Sequence, residues 1–286
     1  MNYKVFSNVM NKFFNNKTFH NPTNELIYNS KKKKRKTFYP CKIEEHIYID
    51  NKEFVFHHYN NKAKEIILYF PGGSFVDPPT MLHYKFAKRI AKKLNKHIIM
   101  VQYPLTPESN PHITAKLLKR ICLDKFNEKI SIMGDSAGAN LAGLLLHSFH
   151  IDELDFIDKV VLISPFINKN LDNEKILLIE GYDFVLSYQN CKALMDVIFK
   201  PLLDDGFNIF PNNNSFSFET NILMISGEKE IFTPDIINWV NNEKTLNISY
   251  LLYKDMCHCF PIIPCKQSSH CIEKIKTFFN KTIDYR

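Results

Sequence analysis

The stretch Gly134-Asp135-Ser136-Ala137-Gly138 decides how this chain of 286 residues folds. It follows an apolar run at residues 129–133 and precedes residues 141–146, which are apolar nearly all round, as is typical of a helix buried against a sheet. A serine on a sharp turn between a strand and such a helix is typical of a nucleophile elbow, whose strained turn exposes the serine hydroxyl. The small residues two positions before and after it let the strand and the helix approach closely. The pattern therefore predicts that Ser136 is a nucleophile.

Short β-branched runs alternate with helical stretches on both sides of this turn. The strand-like runs lie at residues 66–70, 97–103, 129–133, 159–164, 221–226 and 249–253. Between the first two, apolar residues recur every four positions from Leu82 to Leu94 and so share one face of a helix. Fully apolar strands separated by helices predict a mostly parallel sheet covered on both faces. Two earlier runs, 43–50 and 53–59, joined by Asn51-Lys52, predict an antiparallel hairpin at its edge.

Three motifs together give the sequence a resemblance to a known family. They are GDSAGA at residues 134–139, YFPGGSF at residues 69–75 and YPLTPE at residues 103–108. In that order they are similar to the G-D-S-A-G-G, H-G-G-G and Y-R-L-A-P-E segments of the hormone-sensitive-lipase-like branch of the α/β-hydrolases, and the likeness covers roughly residues 45–285. The resemblance implies an α/β-hydrolase fold, with a mostly parallel central sheet flanked by helices and a small helical cap.

The rest of the chain divides around this core. We expect residues 1–40 to form an N-terminal cap segment and basic linker, and residues 41–286 the α/β-hydrolase domain. Apolar residues at helical spacing near the N-terminus indicate an amphipathic segment that could lie over a substrate cleft. The strand–helix alternation stops after residue 165. We therefore expect a helical insertion at about residues 167–217, with helical stretches near 171–180 and 185–199.

An oxyanion hole is expected beside the serine. Ester cleavage passes through a tetrahedral intermediate whose oxygen becomes an anion, and losing one backbone donor to that oxygen costs about 3–4 kcal/mol. The expected donors are the amide of Ala137 and amides of the loop Gly72-Gly73-Ser74. Pro71 stands where the family has histidine. Proline has no N–H, but the donors belong to the residues after it, so the hole can survive while the anchoring of the loop changes.

The expected base is His258. Of the eleven histidines, only His258 and His270 lie beyond the last strand-like run, and the family's M-x-H-x-F pattern matches at His258. This order, with the serine first and the histidine last, is that of the α/β-hydrolase triad. His258 would take the proton of the serine and later pass it to the leaving alcohol. We expect His83, His147 and His150 to be ordinary structural residues.

The acid has three candidates. The family's G-x-x-D-x-L pattern implies Glu230, with glutamate in place of the usual aspartate. Either carboxylate can fix the histidine tautomer and stabilise the imidazolium. Asp235 and Glu228 remain alternatives, although Asp235 looks like a first-turn residue of the next helix.

Composition excludes several classes of protein. The six residues at 31–36, KKKKRK, supply six of the seven net positive charges, so the body of the chain is nearly neutral and no nucleic-acid partner is expected. No apolar run approaches the roughly 18 residues that span a bilayer, and no secretory signal is evident, so we expect no stable membrane insertion and a cytoplasmic location. Seven scattered cysteines, four of them in the non-zinc spacing C-x-C-x₅-C-x₅-C, indicate neither disulfides nor a metal.

These features predict a serine hydrolase that cleaves carboxylic esters through an acyl-enzyme on Ser136, without a metal or organic cofactor. The expected partner is a small-molecule ester with a short or medium acyl group, acetyl being one option, and a homodimer is one possible assembly. An amidase or peptidase would use the same triad and stays open at this point. So does a ligand-binding protein on a hydrolase scaffold that has lost catalysis.

Overall fold

The computed structural model describes residues 41, 43–168, 170–194, 220–243 and 246–280. The predicted cap segment and linker at residues 1–40 lie outside this part of the chain. So does the second half of the predicted insertion, from residue 195 to 217.

The described residues form one sheet of eight strands. In chain order these are β1 (Glu44–Ile49), β2 (Lys52–Tyr59), β3 (Ile66–Phe70), β4 (His97–Gln102), β5 (Ile130–Asp135), β6 (Ile157–Ile163), β7 (Asn221–Gly227) and β8 (Asn247–Tyr253). Their spatial order is β1-β2-β4-β3-β5-β6-β7-β8. From β4 to β8 every neighbouring pair is parallel, whereas β1 and β2 form an antiparallel edge. The predicted mostly parallel sheet is confirmed.

Helices cover both faces of the sheet. In chain order they are α1 (Met81–Leu94), α2 (Pro111–Lys125), α3 (Ala137–Ser148), α4 (Lys175–Ile179), α5 (Tyr188–Leu194), α6 (Thr233–Asn242) and α7 (Lys266–Asn280). Helices α1 and α7 share one apolar cluster with the sheet, and α2 and α3 share the cluster on the opposite face. All six residues of β5 are buried, because a strand between two helical layers has no solvent-facing side.

The edge hairpin forms one residue earlier than predicted. Asp50 and Asn51, not Asn51 and Lys52, occupy the turn, with φ of 49° and 60°. Two successive positive φ values match the twist of a two-residue hairpin, and Asp and Asn tolerate that backbone better than lysine does. Ile49 and Lys52 then pair directly across the two strands.

The two helices described in the predicted insertion begin later than expected. Helix α4 covers only residues 175–179, and Gly181, at φ 88°, lies in the turn that follows. Helix α5 begins at Tyr188, three residues after the predicted start. No helix in the described ranges is both long and apolar enough to cross a membrane. Within the same ranges no group of three or more His, Cys, Asp or Glu residues is arranged to hold a metal ion.

Candidate active site

Ser136 lies between β5 and α3, at the carboxyl end of the central strands. Its backbone has φ 50° and ψ −125°, a conformation that costs a non-glycine residue about 1–3 kcal/mol. The glycines of the motif make this turn possible. A Cβ on Gly138 would lie 1.9 Å from the carbonyl oxygen of Phe70, and one on Gly134 would lie 2.3 Å from the carbonyl oxygen of Gly138. The close approach of the strand and the helix therefore requires glycine at both positions of the motif.

His258 meets the serine from a loop that follows β8. Its Nε2 is 2.9 Å from Oγ of Ser136, across a separation of 122 residues. The imidazole is 3% exposed, so bulk water has little access to it. This is the geometry in which a serine hydroxyl donates to a neutral imidazole and can transfer its proton.

Glu230 lies on the other side of the imidazole. Oε2 of Glu230 is 3.6 Å from Nδ1 of His258, and the carboxylate has no solvent exposure. This separation is an ion-pair distance rather than a hydrogen bond, and catalytic hydrogen bonds are often longer before substrate is bound. A Cβ on Gly227 would lie 2.2 Å from the carbonyl oxygen of Met256. The loops that carry the acid and the histidine are therefore packed backbone to backbone.

The two alternative acids lie elsewhere. Oδ1 of Asp235, in the first turn of α6, accepts a hydrogen bond from Asn173 at 2.8 Å. Oε2 of Glu228 accepts one from the amide of Asp255 at 3.0 Å. Of the three candidate carboxylates, the structure brings Glu230 to His258.

Ser164 joins the acid loop to the histidine loop, a role that sequence reasoning missed. Its hydroxyl donates to Oε2 of Glu230 at 2.6 Å and accepts from the amide of Cys259 at 3.1 Å. It is fully buried at the end of β6, with φ 50°. The signal in the sequence was a serine directly after an apolar strand and before Pro165, at the edge where the other site residues also lie.

The predicted oxyanion loop turns sharply above the serine. Gly73, Ser74 and Phe75 have φ of 140°, 54° and 59°. The amide of Gly72 donates to the carboxylate of Asp135. No hydrogen-bond acceptor within the described residues takes the amides of Gly73, Ser74 or Ala137. These three amides are therefore free to meet an oxyanion.

A buried polar network holds this loop against the elbow. Asp135 is 1% exposed, and Oδ1 accepts from the hydroxyl of Tyr69 at 2.5 Å. Oδ2 lies 3.3 Å from Nε2 of His83. Because Nδ1 of His83 accepts from the amide of Thr80 at 2.9 Å, its proton belongs on Nε2 and is donated to Asp135. His83 is therefore part of the support of the oxyanion loop rather than a simple core residue.

This network also sets the charge of Asp135. Burial alone would raise the pKa of its carboxyl, but the hydrogen bond from His83, with the bonds from Tyr69 and Gly72, outweighs burial and leaves the pKa below its usual value. Asp135 is therefore an anion that can accept from the loop.

The loop has a second anchor in the segment at residues 103–108. The hydroxyl of Tyr103 donates to the carbonyl oxygen of Pro71 at 2.7 Å. The amide of Thr106 donates to the carbonyl oxygen of Phe75 at 2.8 Å. The segment at residues 103–108, recognised first as a family motif, thus ties down both ends of the loop.

Replacing Gly72 by alanine tests this loop. The new Cβ would lie 2.7 Å from Oδ2 of Asp135 and 2.9 Å from Cβ of Ser136, so the loop must move away from the nucleophile. We expect Gly72→Ala to lower kcat by about a hundredfold, the effect of displacing an oxyanion donor, as measured with an activated ester. Ser74→Ala is the control: it removes a side chain but keeps the amide, and it should retain kcat. A large loss in the control would show that the side chain matters instead.

Comparison with known proteins places these features in context. A family model described as the alpha/beta hydrolase fold matches residues 67–262. An esterase of Acinetobacter venetianus is 29% identical over 60% of this chain and 59% of its own length. Human hormone-sensitive lipase is 32% identical over 28% of this chain and 8% of its own length. The matches therefore span less than two thirds of either relative.

Solved structures agree on the fold. An esterase/lipase from an uncultured bacterium superposes with a TM-score of 0.74 at 17% identity, covering 95% of this chain and 96% of that one. A hyperthermophilic esterase from Pyrobaculum calidifontis superposes with a TM-score of 0.68 at 18% identity, covering 97% and 92%. At such identities the likeness is one of architecture.

Proposed function

Because this chain belongs to the alpha/beta hydrolase fold family, we propose that it is a carboxylic ester hydrolase acting through an acyl-enzyme on Ser136. The resemblance to the hormone-sensitive-lipase-like branch, first indicated by three motifs, is confirmed by the family match and by the relatives. One observation carries the proposal: Nε2 of His258 lies 2.9 Å from Oγ of Ser136, while Glu230 faces the opposite edge of the ring.

Acylation follows from this geometry. His258 takes the proton of Ser136 as the hydroxyl oxygen attacks the ester carbonyl, and the carbonyl oxygen becomes an oxyanion facing the amides of Ala137 and the Gly73-Ser74 loop. The protonated imidazole, stabilised by Glu230, then gives its proton to the leaving alkoxide as the ester C–O bond breaks. An alcohol departs and the acyl group stays on the serine.

Deacylation repeats the same proton transfers with water. His258 removes a proton from a water molecule that attacks the acyl carbonyl, and returns it to Oγ as the acyl–serine bond breaks. The products are a carboxylic acid and the free serine. No metal or organic cofactor takes part in these steps.

The pKa of His258 is consistent with its proposed role as the base. Burial lowers the pKa of the imidazole, but the nearby negative charge of Glu230, with the charges of Asp183 and Asp135, outweighs it and holds the pKa above its ordinary value of 6.5. A base with a pKa near the working pH is both sufficiently deprotonated and sufficiently basic.

We also propose that the substrate is a small ester with a short or medium acyl group, acetyl included. One aromatic ring lies directly beside the imidazole of His258, and a second packs behind the first. The ring of Phe232 is edge-on to His258 at 5.4 Å between centroids, and Phe166 packs on Phe232 at the same distance. Both are at least 95% buried, so the apolar wall at this side of the site is filled by protein.

A panel of p-nitrophenyl esters from two to sixteen acyl carbons, beside matching anilides, tests both proposals. We expect turnover to be highest for short and medium acyl chains, to fall for long ones, and to be much slower for the anilides. A maximum at sixteen carbons would contradict the proposed acyl length. Equal turnover of anilides and esters would favour an amidase, whereas failure of a fluorophosphonate to label the protein would favour a binding protein.

A further inference from the structure

Asp183 is a buried carboxylate in the insertion that the reaction as described does not use. It lies between α4 and α5 and is 6% exposed. Its Oδ1 accepts hydrogen bonds from the amides of Val185 at 3.0 Å and Leu186 at 3.2 Å. Its Oδ2 accepts one from the amide of Ile231 at 3.1 Å. The side chain therefore links the insertion to another loop, 48 residues further along the chain.

That second loop is the one that carries the triad acid. Ile231 directly follows Glu230, so the hydrogen bond from its amide fixes the peptide plane between the two residues. Among the residues that the structure describes, Oε1 of Glu230 has no hydrogen-bond partner, and Oε2 accepts from the hydroxyl of Ser164. The position of the acid relative to His258 thus depends on few contacts, and Asp183 holds the backbone at its base.

Asp183 also contributes charge. Burial raises the pKa of its carboxyl to about 6, with the charge of Glu230 acting in the same direction and the charge of His258 opposing it. The group is therefore ionised at neutral pH. In turn, the negative charge of Asp183 raises the pKa of His258.

The remaining ionisable groups near Asp183 and His258 come from other elements. Asp135, at the end of β5, also acts on His258 and is an anion. The thiols of Cys191, in α5, and Cys257, beside the histidine, have pKa values raised above their ordinary value, chiefly by burial, and so are neutral. Within the described part of the chain, Asp183 is thus one of three carboxylates that act on this imidazole.

We propose that Asp183 is a positioning residue for the ester hydrolysis: through the amide of Ile231 it holds the backbone that carries Glu230, and its charge stabilises protonated His258. This inference rests on the proposed function. If Asp183 only closed the turn at Val185 and Leu186, its substitution would change the stability of the protein but not the ionisation of His258.

The test is Asp183→Asn, which keeps the size of the side chain but removes its charge. We expect kcat for an activated short-chain ester to fall by about tenfold or more, with KM nearly unchanged, because the loss lies in the orientation of the acid rather than in substrate binding. Removing a negative charge lowers the pKa of His258. The acid limb of the kcat/KM profile, where the imidazole becomes protonated, should therefore move to lower pH by about half a unit or more.

Two further variants and one further measurement make the result decisive. Asp172→Asn, which removes an exposed carboxylate from the same insertion, should leave kcat and the pH profile as in the unmodified protein. Asp183→Ser keeps an acceptor for the amide of Val185 without the charge, and it replaces Asp183→Asn if that variant is poorly folded. For each variant, the rate at which a fluorophosphonate labels Ser136 as a function of pH reports the base without the later steps.

The outcomes separate the two proposals. Wild-type protein that hydrolyses no ester and resists the fluorophosphonate contradicts the proposed function, and this inference with it. Active wild-type protein whose Asp183 variants have an unmoved acid limb and an unchanged labelling profile contradicts the role of Asp183 alone, even if their melting temperature is lower.

Discussion

Ser136→Ala should remove essentially all turnover, about a millionfold in kcat. The substitution deletes the only atom that can form the acyl-enzyme, and a methyl group leaves His258 without a proton to take. The helix and the oxyanion amides stay in place, so binding of a small ester should survive. The measurement is burst and steady-state kinetics with a p-nitrophenyl ester, together with the mass of the protein after fluorophosphonate treatment.

Its control is Ser148→Ala at the far end of α3, where the hydroxyl donates to the carbonyl oxygen of Leu145. That variant should keep full turnover and take up one equivalent of the probe. Ser136→Gly should be equally inactive but more stable, by about 1 kcal/mol, because glycine occupies φ 50° without the cost that serine has there. Turnover or labelling retained by Ser136→Ala would place the nucleophile elsewhere.

Glu230→Gln should lower kcat by about ten-thousandfold. The amide has the same shape and can still accept from the hydroxyl of Ser164, so the fold of the loop should be kept. It carries no negative charge, however, and its NH₂ can favour the wrong tautomer of His258. The protonated imidazole that forms during acylation is then no longer stabilised by Glu230. The measurement is kcat/KM for the same ester, with the melting temperature recorded beside it.

Asp235→Asn and Glu228→Gln are the matched controls, because each removes one carboxylate close to Glu230 in the chain. Glu228 lies in the same loop, and Asp235 lies in the helix that follows it. The Asp235 carboxylate accepts a hydrogen bond from Asn173, and the Glu228 carboxylate accepts one from the amide of Asp255. Both variants should therefore turn over within about threefold of the unmodified protein, as expected for groups remote from the reacting atoms. A loss in Asp235→Asn as large as that in Glu230→Gln would move the acid to position 235.

The pattern of strands and helices could be predicted from the sequence because it follows from the local periodicity of apolar residues. The apolar side chains of α1 recur every four residues, and those of the central strands are continuous, so both elements follow from neighbours within a few positions. The boundaries of these elements follow less directly from periodicity. The hairpin turn lies at Asp50-Asn51, one residue before its predicted position, because the backbone twist of the hairpin selects which residues take positive φ.

The predicted nucleophile, Ser136, was also determined by local sequence. Gly134 and Gly138 are required by contacts within the strand–turn–helix unit itself and with the adjacent β3, so the motif carries its own geometry. His258 and Glu230 could be proposed from the order of motifs along the chain. Their convergence on Ser136, across 122 residues in the case of the histidine, depends on parallel strands whose carboxyl ends meet at one edge.

The supporting groups were decided by the tertiary structure alone. Ser164 reaches Glu230 across 66 residues, Asp183 reaches Ile231 across 48, and His83 reaches Asp135 across 52. No spacing in the sequence marks these pairs, since a serine, an aspartate or a histidine between apolar segments looks the same whether it is solvated or buried. Burial makes the difference: a polar group removed from water must find a partner, and which partner is near depends on how distant segments pack together.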